Sequence, residues 1–232
     1  MVKLSLIIPT RNEEQIVLKH LTMISEYMKQ LSNIDDYEII ICDKSEDNTP
    51  LIVKSLASKD TKIKYYDVGK KGIGAALKAG IDVASYDLLV LYDIDMAWEV
   101  NFIQHALNEL VAGNDIVYGS RYLEKSHVNR PIKRKIFSTG YRILVRILFN
   151  IKIKDWNGNR GLKKSAIIKF RNKLEDDTGF FHTEMAIYAK KYHLKTKEIP
   201  ANVHDLRNDS TLYVIKIASS ILKRLLKKRI TL

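Results

Sequence analysis

Two aspartates separated by one residue, Asp93 and Asp95, follow the apolar run 88–92. An apolar run of this length that stops abruptly is typical of a buried strand. Both carboxylates are therefore predicted to emerge at the carboxyl edge of a sheet, where open α/β folds bind ligands. Their oxygen atoms suit Mg²⁺ or Mn²⁺, which bind one or two protein carboxylates together with substrate phosphates. The same triplet also occurs where acidic residues only end a strand, so the rest of the chain must decide between the two interpretations.

The overall composition predicts one folded domain, residues 1–232. Apolar residues make up 46% of the chain, which is enough for a single core. One cysteine, Cys42, allows no intrachain disulfide bond, and the first apolar run is too short for the core of a signal peptide. No stretch approaches the ~20 apolar residues that cross a bilayer. We therefore expect a cytoplasmic protein that does not span a membrane.

The net charge of +12 is concentrated in two segments. Residues 125–154 contain nine basic and no acidic side chains, and residues 212–232 contain six basic and no acidic ones. Such segments attract polyanions, which include nucleic acid, an anionic membrane surface and phosphorylated substrates. Charge alone does not choose among these partners.

The first half of the chain alternates between short apolar runs and segments with helical periodicity. Continuous apolar strands that alternate with helices predict an α/β protein with a mostly parallel sheet covered on both faces. The predicted strands are residues 4–8, 37–42, 63–66, 88–92 and 116–118. The predicted helices are residues 13–30, 50–58, 72–84 and 100–112.

Two further predicted helices, residues 133–149 and residues 212–230, are amphipathic and basic. In the first, Arg134, Arg142 and Arg146 share one face, and in the second Lys228 belongs to a face of four lysines. Such a helix either packs its apolar face on the core and solvates its cations, or lies in a membrane interface with its cations among lipid phosphates. The pattern leaves both alternatives open.

Three polar loops are expected on one edge of the sheet because each follows a predicted parallel strand. They are residues 9–14, residues 43–49 and the triplet 93–95. A glycine-rich turn, residues 69–74, opens the helix 72–84. Glycines let a backbone approach a ligand closely, and a helix N-terminus favours anions. The turn is not a Walker loop and not a dinucleotide fingerprint, because it lacks the Gly-Lys-Ser/Thr ending and follows the third strand.

Taken together, these motifs resemble the family 2 glycosyltransferases of the GT-A fold. The matching segments are residues 9–13, 43–49, 72–80, 93–95 and 119–121, which occur in the family's order. Cys42 stands where the family usually has the first acid of an Asp-Asp pair. The downstream half is similar to the polyprenyl-phosphate branch, the dolichyl-phosphate mannose and glucose synthases. That similarity is carried by Arg121, the basic helix from Arg134, and residues 155–161, 181–184 and 207–210.

The resemblance implies a division of the domain and a role for each matching residue. Residues 1–121 would bind the nucleotide sugar, residues 122–211 would face the acceptor, and residues 212–232 would form the basic C-terminal helix. Asp93 and Asp95 would hold Mg²⁺ or Mn²⁺, while Asp95, Arg121 and Arg134 would be catalytic, the arginines facing phosphates. The implied nucleotide-sugar-binding residues are Pro9, Arg11, Glu13, Asp43, Ser45, Lys71, Asp93, Ile94 and Asp95.

The implied reaction is metal-dependent, inverting transfer of mannose or glucose from a GDP- or UDP-sugar to a polyprenyl or dolichyl phosphate. The enzyme would associate peripherally with an anionic membrane surface on its cytosolic face. A phosphate monoester is largely dianionic at neutral pH and needs no general base, whereas a hydroxyl acceptor needs one. One alternative is transfer to a saccharide or protein hydroxyl. Another is a non-catalytic membrane- or nucleic-acid-binding protein on a decayed transferase domain, although no standard nucleic-acid motif is present and we expect no such partner.

Several other polar groups could belong to the site. The acidic run 175–177 could supply a base, but a solvated loop is the favoured interpretation. His204 could reach the metal, and Trp98 and Trp156 could line the acceptor site. An ordinary polar contact and core packing are the simpler expectations for these three residues.

Overall fold

The computed structural model describes residues 1–31, 33–129, 132–204, 224–225 and 228–229. For residues 129, 132–137 and 204, only the backbone is described. The side chain of Arg134, most of the predicted helix 212–230 and the side chain of His204 therefore lie outside the described part of the chain.

The first half of the chain alternates strand and helix as predicted. Its elements are β1 (Lys3–Thr10), α1 (Val17–Gln30), β2 (Asp36–Asp43), α2 (Thr49–Ala57), β3 (Ile63–Asp67), α3 (Ile73–Val83), β4 (Leu88–Leu91), α4 (Phe102–Val111) and β5 (Ile116–Ser120). Helix α1 begins at Val17 and not at residue 13. The carbonyl of Glu13 accepts hydrogen bonds from the amides of Ile16 and Val17 at 3.0 and 2.8 Å, so residues 13–16 form a turn before the helix.

The second half adds elements of both kinds. They are β6 (His127–Asn129), α5 (Ile132–Phe149), β7 (Arg160–Lys163), α6 (Lys164–Ile167), a 3₁₀ turn (Arg171–Lys173), α7 (Phe181–Lys191), β8 (Thr196–Pro200) and β9 (Asn202–His204). Only α5 is predicted from the sequence pattern. The apolar pattern does not predict the short strands of this half. β7, for example, is only four residues long and carries a basic residue at each end.

One seven-stranded sheet organises the described chain, in the order β3-β2-β1-β4-β7-β5-β8. Strand β1 pairs in parallel with β2 and β4, β2 with β3, and β5 with β8, whereas β7 runs antiparallel to β4 and β5. Helices α3, α5 and α7 contribute to the core on one face, and α1 and α4 to the core on the other. The prediction of a mostly parallel sheet covered on both faces is confirmed.

The antiparallel direction of β7 determines what lies at the ligand-binding edge. Because β7 enters the sheet from the edge at which β4 and β5 end, residues 155–160 lie beside residues 93–95 and 119–121. The amide of Asp93 donates to Asn159 Oδ1 at 3.2 Å, and the amide of Gly119 donates to the carbonyl of Asn159 at 2.9 Å. One asparagine thus holds the ends of both neighbouring strands.

A buried ion pair connects the end of β5 to the start of β7. Arg121 Nε and Nη2 donate to the two carboxylate oxygens of Asp155 at 2.8 and 3.0 Å, and the Arg121 amide donates at 3.0 Å. Asp155 is fully buried, and the Arg121 side chain is 12% exposed. Burial alone would raise the pKa of Asp155, but the Arg121 charge and these hydrogen bonds hold it below its usual value. The carboxyl group is therefore ionised in the folded protein at neutral pH.

The basic face of α5 is used partly inside the protein. Arg142 donates to the carbonyl of Lys154 at 2.7 Å, and Arg146 donates to the carbonyl of Ile151 at 3.2 Å. Val145, between them in the sequence, is fully buried. Two of the three predicted basic-face arginines are therefore bonded to the fold. Among the described helices, none combines the length and the apolar content that crossing a bilayer requires.

The described residues of the C-terminal segment pack on the domain. Leu225 is fully buried, and Lys228 forms an ion pair with Glu184 at 2.7 Å in which both side chains are less than a tenth exposed. Arg224 hydrogen-bonds to Asp176. The membrane-interface alternative is therefore wrong for Lys228, because its ammonium group is held by a buried carboxylate.

Helix α3 packs on the sheet through Gly80. A Cβ atom at this position would lie 2.3 Å from Cγ2 of Ile7 and 2.9 Å from Sγ of the buried Cys42. We expect Gly80→Ala to lower the free energy of unfolding by about 1–3 kcal/mol, because the added methyl group overpacks the core.

The matched control is Gly140→Ala in α5, where an added Cβ would meet nothing within 4 Å. This substitution should raise the free energy of unfolding by about 0.5–1 kcal/mol through helix propensity. Urea denaturation of both variants measures the difference. Equal effects would contradict the close contact at Gly80.

The buried Arg121–Asp155 pair predicts a second stability difference. Asp155→Asn should cost about 3–5 kcal/mol at pH 7, because a charged Arg121 is left without its carboxylate. Since the folded-state pKa of Asp155 is lowered, its contribution is present above the unfolded pKa of about 3.9 and is lost as the pH falls through the folded-state value. The variant should therefore lose less stability than the parent protein below about pH 4.

The control for this comparison is Asp82→Asn, which removes a surface pair with Arg171 in which Asp82 is half exposed. It should cost less than about 1 kcal/mol. Unfolding curves of the parent and both variants at pH 7 and pH 3 are the measurement. A loss at Asp155 no larger than that at Asp82 would show that the buried pair is not a structural requirement.

Candidate active site

A cleft of about 620 Å³ opens at the carboxyl edge of the sheet. Its walls come from the segments that follow β1, β2, β3 and β4, from the first turn of α3, and from the segments before β7 and at the start of α7. The lining residues are Pro9, Thr10, Arg11, Glu13, Lys44, Lys70, Gly72, Ile73, Ala76, Asp93, Ile94, Asp95, Asn157 and His182. The three polar loops that the sequence analysis placed on one edge do meet here.

The predicted site residues divide into three groups by position. Six of them line the cleft, namely Pro9, Arg11, Glu13, Asp93, Ile94 and Asp95. Asp43, Ser45, Lys71 and Arg121 lie around it without lining it. Arg134 lies at the start of α5, where the side chains are not described.

The loops after β1 and β2 hold each other through side chain to backbone hydrogen bonds. The amide of Asn12 donates to Ser45 Oγ at 2.8 Å, and the amide of Glu46 donates back to Asn12 Oδ1 at 2.9 Å. Asn12 has a positive φ of 58°, which asparagine tolerates better than most residues. The amide of Glu13 donates to Thr49 Oγ1 at 2.9 Å. This network fixes Arg11 and Glu13 at the cleft.

Asp43 is buried below this network. Its carboxylate accepts hydrogen bonds from Thr10 Oγ1 at 2.7 Å, from Ser45 Oγ at 2.6 Å and from the hydroxyl of Tyr65 at 3.2 Å. Burial and the charge of Asp43 raise the pKa of Tyr65 to about 12. Asp43 therefore organises Ser45 and Tyr65 beside the cleft, and its own oxygen atoms are committed to these contacts.

Asp93 and Asp95 emerge from β4 on a backbone that is fixed at three points. The amide of Asp93 is held by Asn159, the carbonyl of the buried Ile94 contacts His20 Nδ1 at 2.9 Å, and Asp95 Oδ1 accepts from the amide of Ala97 at 3.0 Å. Both aspartates are half-buried. In the described part of the chain, no three His, Cys, Asp or Glu side chains cluster as a complete ligand set. Two carboxylates at the cleft nevertheless fit Mg²⁺ or Mn²⁺, which takes its remaining ligands from water and substrate phosphates.

The glycine-rich turn is covered by the chain itself. A Cβ on Gly72 would lie 2.1 Å from the carbonyl oxygen of Asp177, and that oxygen accepts from the amide of Ala75 at 3.2 Å. The side chain of Asp177 pairs with Lys70 at 2.7 Å and with Lys78 at 2.8 Å. The glycines therefore admit the segment 175–178, so the expectation that this run is a solvated loop is wrong for Asp177. Lys71 lies on the outer side of the turn, where it pairs with Glu46.

A buried arginine lies directly under the cleft at the start of β7. Arg160 has no exposed surface, and burial lowers its pKa to about 10, so it remains a cation at neutral pH. Its Nη2 donates to the carbonyl of Gly158 at 3.0 Å and to Nδ1 of His182 at 2.6 Å. Burial, together with the charges of Arg160 and Arg121, holds the pKa of His182 well below its usual range. His182 is therefore a neutral ring at the cleft.

Sequence reasoning missed a second set of cleft residues. Lys44, Lys70 and Asn157 stand in segments recognised as motifs, but nothing in their spacing marks them as lining a site. His182 opens α7, where a Phe-His-Thr-Glu run has no periodicity of its own. The segment 181–184 carries part of the family similarity, but the sequence assigns His182 no role, and only the fold brings the start of α7 to the cleft.

Burial decides whether Trp98, Trp156 and Glu184 belong to the site or to the core. Trp156 is fully buried, and its indole nitrogen donates to Thr183 Oγ1 at 3.1 Å, which confirms the packing interpretation. Trp98 is buried against Gly119 and Gly158. The buried carboxylate of Glu184, already paired with Lys228, also accepts from the amide of Asp176. Glu184 is therefore structural.

Comparison with known proteins identifies relatives over almost the whole chain. The glycosyltransferase AglD of Haloferax volcanii is 27% identical over 229 residues, covering 96% of this chain and 37% of its own length. A dolichyl-phosphate beta-glucosyltransferase of Trichomonas vaginalis is 28% identical, covering 96% of this chain and 72% of its own. A dolichol-phosphate mannosyltransferase of Pyrococcus furiosus is 30% identical, covering 85% and 55%. The chain thus spans little more than a third of the first relative and about half of the third.

Solved structures show the same fold at low sequence identity. Mannosyl-3-phosphoglycerate synthase from Rubrobacter xylanophilus superposes with a TM-score of 0.73 at 17% identity, covering 99% of this chain and 74% of that one. Glucosyl-3-phosphoglycerate synthase from Mycobacterium tuberculosis, solved with Mn²⁺, UDP and glucosyl-3-phosphoglycerate, gives a TM-score of 0.70 at 17% identity, covering 98% and 80%. These similarities confirm the predicted GT-A fold.

The family assignment rests on sequence. Residues 5–193, which begin within β1 and extend through α7, match the family described as glycosyl transferase family 2. The match contains every residue that lines the cleft. The chain belongs to glycosyl transferase family 2.

Proposed function

We propose that the protein is a metal-dependent, inverting glycosyltransferase that moves mannose or glucose from a GDP- or UDP-sugar to a polyprenyl phosphate at the cytosolic face of a membrane. The observation that carries the proposal is the cleft itself, in which two half-buried aspartates stand beside the cations Arg11, Lys44 and Lys70. This is the arrangement of charge that a nucleoside diphosphate and its divalent cation require.

The residues of the first half bind and orient the donor. Residues 1–121 form the nucleotide-sugar half, in which Pro9, Arg11, Glu13 and the segment around Asp43 and Ser45 bind the nucleoside, and Lys71 assists from the rim. Asp93 and Asp95, with the backbone of Ile94, hold Mg²⁺ or Mn²⁺, which neutralises charge that develops on the departing diphosphate. Lys44 and Lys70 reinforce the same stabilisation from the cleft wall.

A phosphate acceptor is supported by the way in which the nearby acidic groups are used. Asp155 is paired with Arg121, Asp177 with Lys70 and Lys78, and Glu184 with Lys228. A hydroxyl acceptor would need a general base within hydrogen-bond reach, whereas a phosphate monoester with a second pKa of about 6 is already a nucleophile at neutral pH. The chemistry therefore favours the phosphate.

Residues 122–211 form the acceptor-side half, which includes α5. The hydroxyl of Tyr141 in α5 hydrogen-bonds to Thr183, the neighbour of His182. Arg134, in the first turn of α5, is assigned to the acceptor phosphate by the family resemblance. Arg121 orients the end of β5 through its pair with Asp155. We also assign Arg121 a catalytic role, in which its guanidinium group faces a phosphate of the donor or acceptor.

Peripheral attachment is supported by apolar side chains that α5 leaves exposed. Ile143, Leu144 and Ile147 are 51%, 38% and 75% exposed, although each belongs to a class of residue that is usually buried. They lie on α5, which is basic and contacts α7 through the hydrogen bond between Tyr141 and Thr183. Such a helix would place the headgroup of a lipid phosphate next to the donor.

The first test is transfer of labelled sugar from a panel of GDP- and UDP-sugars to a short polyprenyl phosphate. We expect chloroform-soluble label in the presence of Mn²⁺ or Mg²⁺ and none with EDTA. Asp95→Asn should lower turnover by roughly 100-fold or more, because one of the two metal-binding charges is lost. Asp82→Asn, which removes the same charge far from the cleft lining, should retain full turnover.

Three outcomes would contradict parts of this proposal. Label that appears only on a saccharide or protein acceptor would replace the lipid phosphate by a hydroxyl. Full turnover of Asp95→Asn would remove the metal assignment. Donor binding without transfer to any acceptor would leave a binding protein on a transferase fold.

The membrane surface is tested by liposome flotation. We expect Ile147→Asp to weaken binding to anionic vesicles about tenfold, because a charge replaces an apolar side chain that inserts into the interface. Ile168→Asp is the matched control. Ile168 is 64% exposed but lies directly after α6, outside α5. Equal binding by both variants and the parent protein would exclude α5 as the attachment surface.

A further inference from the structure

The cleft changes in chemical character along the order of the strands. Its cations follow β3, β2 and β1, where Lys70, Lys44 and Arg11 stand. Asp93 and Asp95 follow β4, and beyond them, on the side of β7, the cleft is lined by Asn157 and His182. Glu13 also lines the end after β1, and Lys70 and Lys44 are paired with Asp177 and Asp67. A ligand that lies across the strands therefore meets a charged end, in which cations outnumber the one lining carboxylate, and neutral polar groups at the other end.

The hydrogen bond from Arg160 fixes which ring nitrogen of His182 carries the proton. A guanidinium group can only donate, so Nδ1, 2.6 Å from Nη2 of Arg160, must be the acceptor. The ring is neutral, and its one proton is therefore on Nε2. Because Arg160 is fully buried and lies beneath the ring, Nε2 belongs to the edge of His182 that faces away from Arg160.

This arrangement excludes the other common roles of a histidine. The lone pair of His182 lies on Nδ1, where it is occupied by Arg160, so the ring cannot accept a proton from a substrate without breaking that bond. A neutral ring also offers no positive charge to a phosphate. What remains is a fixed N–H donor on a ring that lines the cleft together with Asn157.

We propose that Nε2–H of His182 donates a hydrogen bond to a hydroxyl of the transferred sugar, and that Arg160 is the positioning residue that holds the ring in this tautomer. The inference rests on the proposed function, because it assumes a nucleotide-sugar donor. The diphosphate is attracted to the metal and to the cationic end, which leaves the neutral end for the uncharged hexose. A site that hydrogen-bonds one hydroxyl discriminates strongly against a sugar that lacks it.

The experiment compares donor and nucleoside diphosphate binding by calorimetry, with no acceptor present. His182→Asn keeps an acceptor near the Nδ1 position for Arg160 but has no donor at the Nε2 position. We expect its affinity for the preferred nucleotide sugar to fall about three- to tenfold, which is the usual effect of one lost neutral hydrogen bond. Its affinity for the matching nucleoside diphosphate should stay within about twofold of the parent value.

His182→Gln is the matched control, because its amide nitrogen reaches approximately the place of Nε2. It should recover most of the lost affinity for the nucleotide sugar. Donors with a single deoxy position identify the hydroxyl concerned. The deoxy sugar that binds more weakly to the parent protein should bind to His182→Asn as well as the intact sugar does.

The tautomer is checked independently by ¹⁵N NMR of the histidine rings at pH 7. Protonation at Nε2 of His182 is the expected signature, and protonation at Nδ1 would overturn the role of Arg160. Equal losses for nucleotide sugar and nucleoside diphosphate in His182→Asn would overturn the sugar contact.

The outcomes also separate this inference from the proposed function. A parent protein that binds none of the nucleotide sugars contradicts both. Donor binding with the expected pattern but no transfer to polyprenyl phosphate contradicts only the proposed acceptor.

Discussion

The site depends on an antiparallel strand that brings ionic groups into a parallel sheet. Burying a charge is costly unless hydrogen bonds and an opposite charge compensate it, so the start of β7 is tightly specified. Asp155 meets this requirement through Arg121. Arg160 donates hydrogen bonds to the carbonyl of Gly158 and the ring of His182, and the negative charges of Asp93 and Asp155 favour its cation. Because Asn159 lies between Asp155 and Arg160 and holds the amide of Asp93, the same segment fixes the loop that carries both aspartates. The loop that carries Asp93 and Asp95 and the buried Arg160 are therefore connected through Asn159.

The glycine-rich first turn of α3 is covered by another segment of the same chain. In many nucleotide-binding folds such a glycine-rich turn approaches the ligand directly. Here Gly72 admits the carbonyl of Asp177, whose side chain pairs with Lys70 and Lys78. The turn is thereby tied to the segment 175–178, which is in turn bonded to the C-terminal segment through Asp176. The donor side of the cleft and the end of the described chain are connected by ionic contacts.

The distribution of charge across the cleft agrees with the chemistry of a nucleotide sugar. In the proposed function, the cations would face the phosphates, the two aspartates would hold a divalent metal ion, and neutral groups would remain for the sugar. Among the described residues, Asp155, Asp177 and Glu184 are used in ion pairs that stabilise the fold. An acceptor that arrives already ionised suits such a site better than one that must be deprotonated.

The α/β class, the first five strands, the loop positions of Pro9, Asp43 and Asp93, and the family can be predicted from the amino-acid sequence. These features depend on local apolar periodicity and on parallel strands that end at one edge, and consecutive residues carry both signals. The contacts of Lys228 and His182 follow only from the folded chain. The sequence pattern puts Lys228 on a solvated or lipid-facing surface, whereas the fold pairs it with the buried Glu184. His182 lies in a segment that carries the family similarity, but only the fold shows that it lines the cleft and contacts Arg160. Both contacts join residues far apart in the chain, which no local pattern encodes.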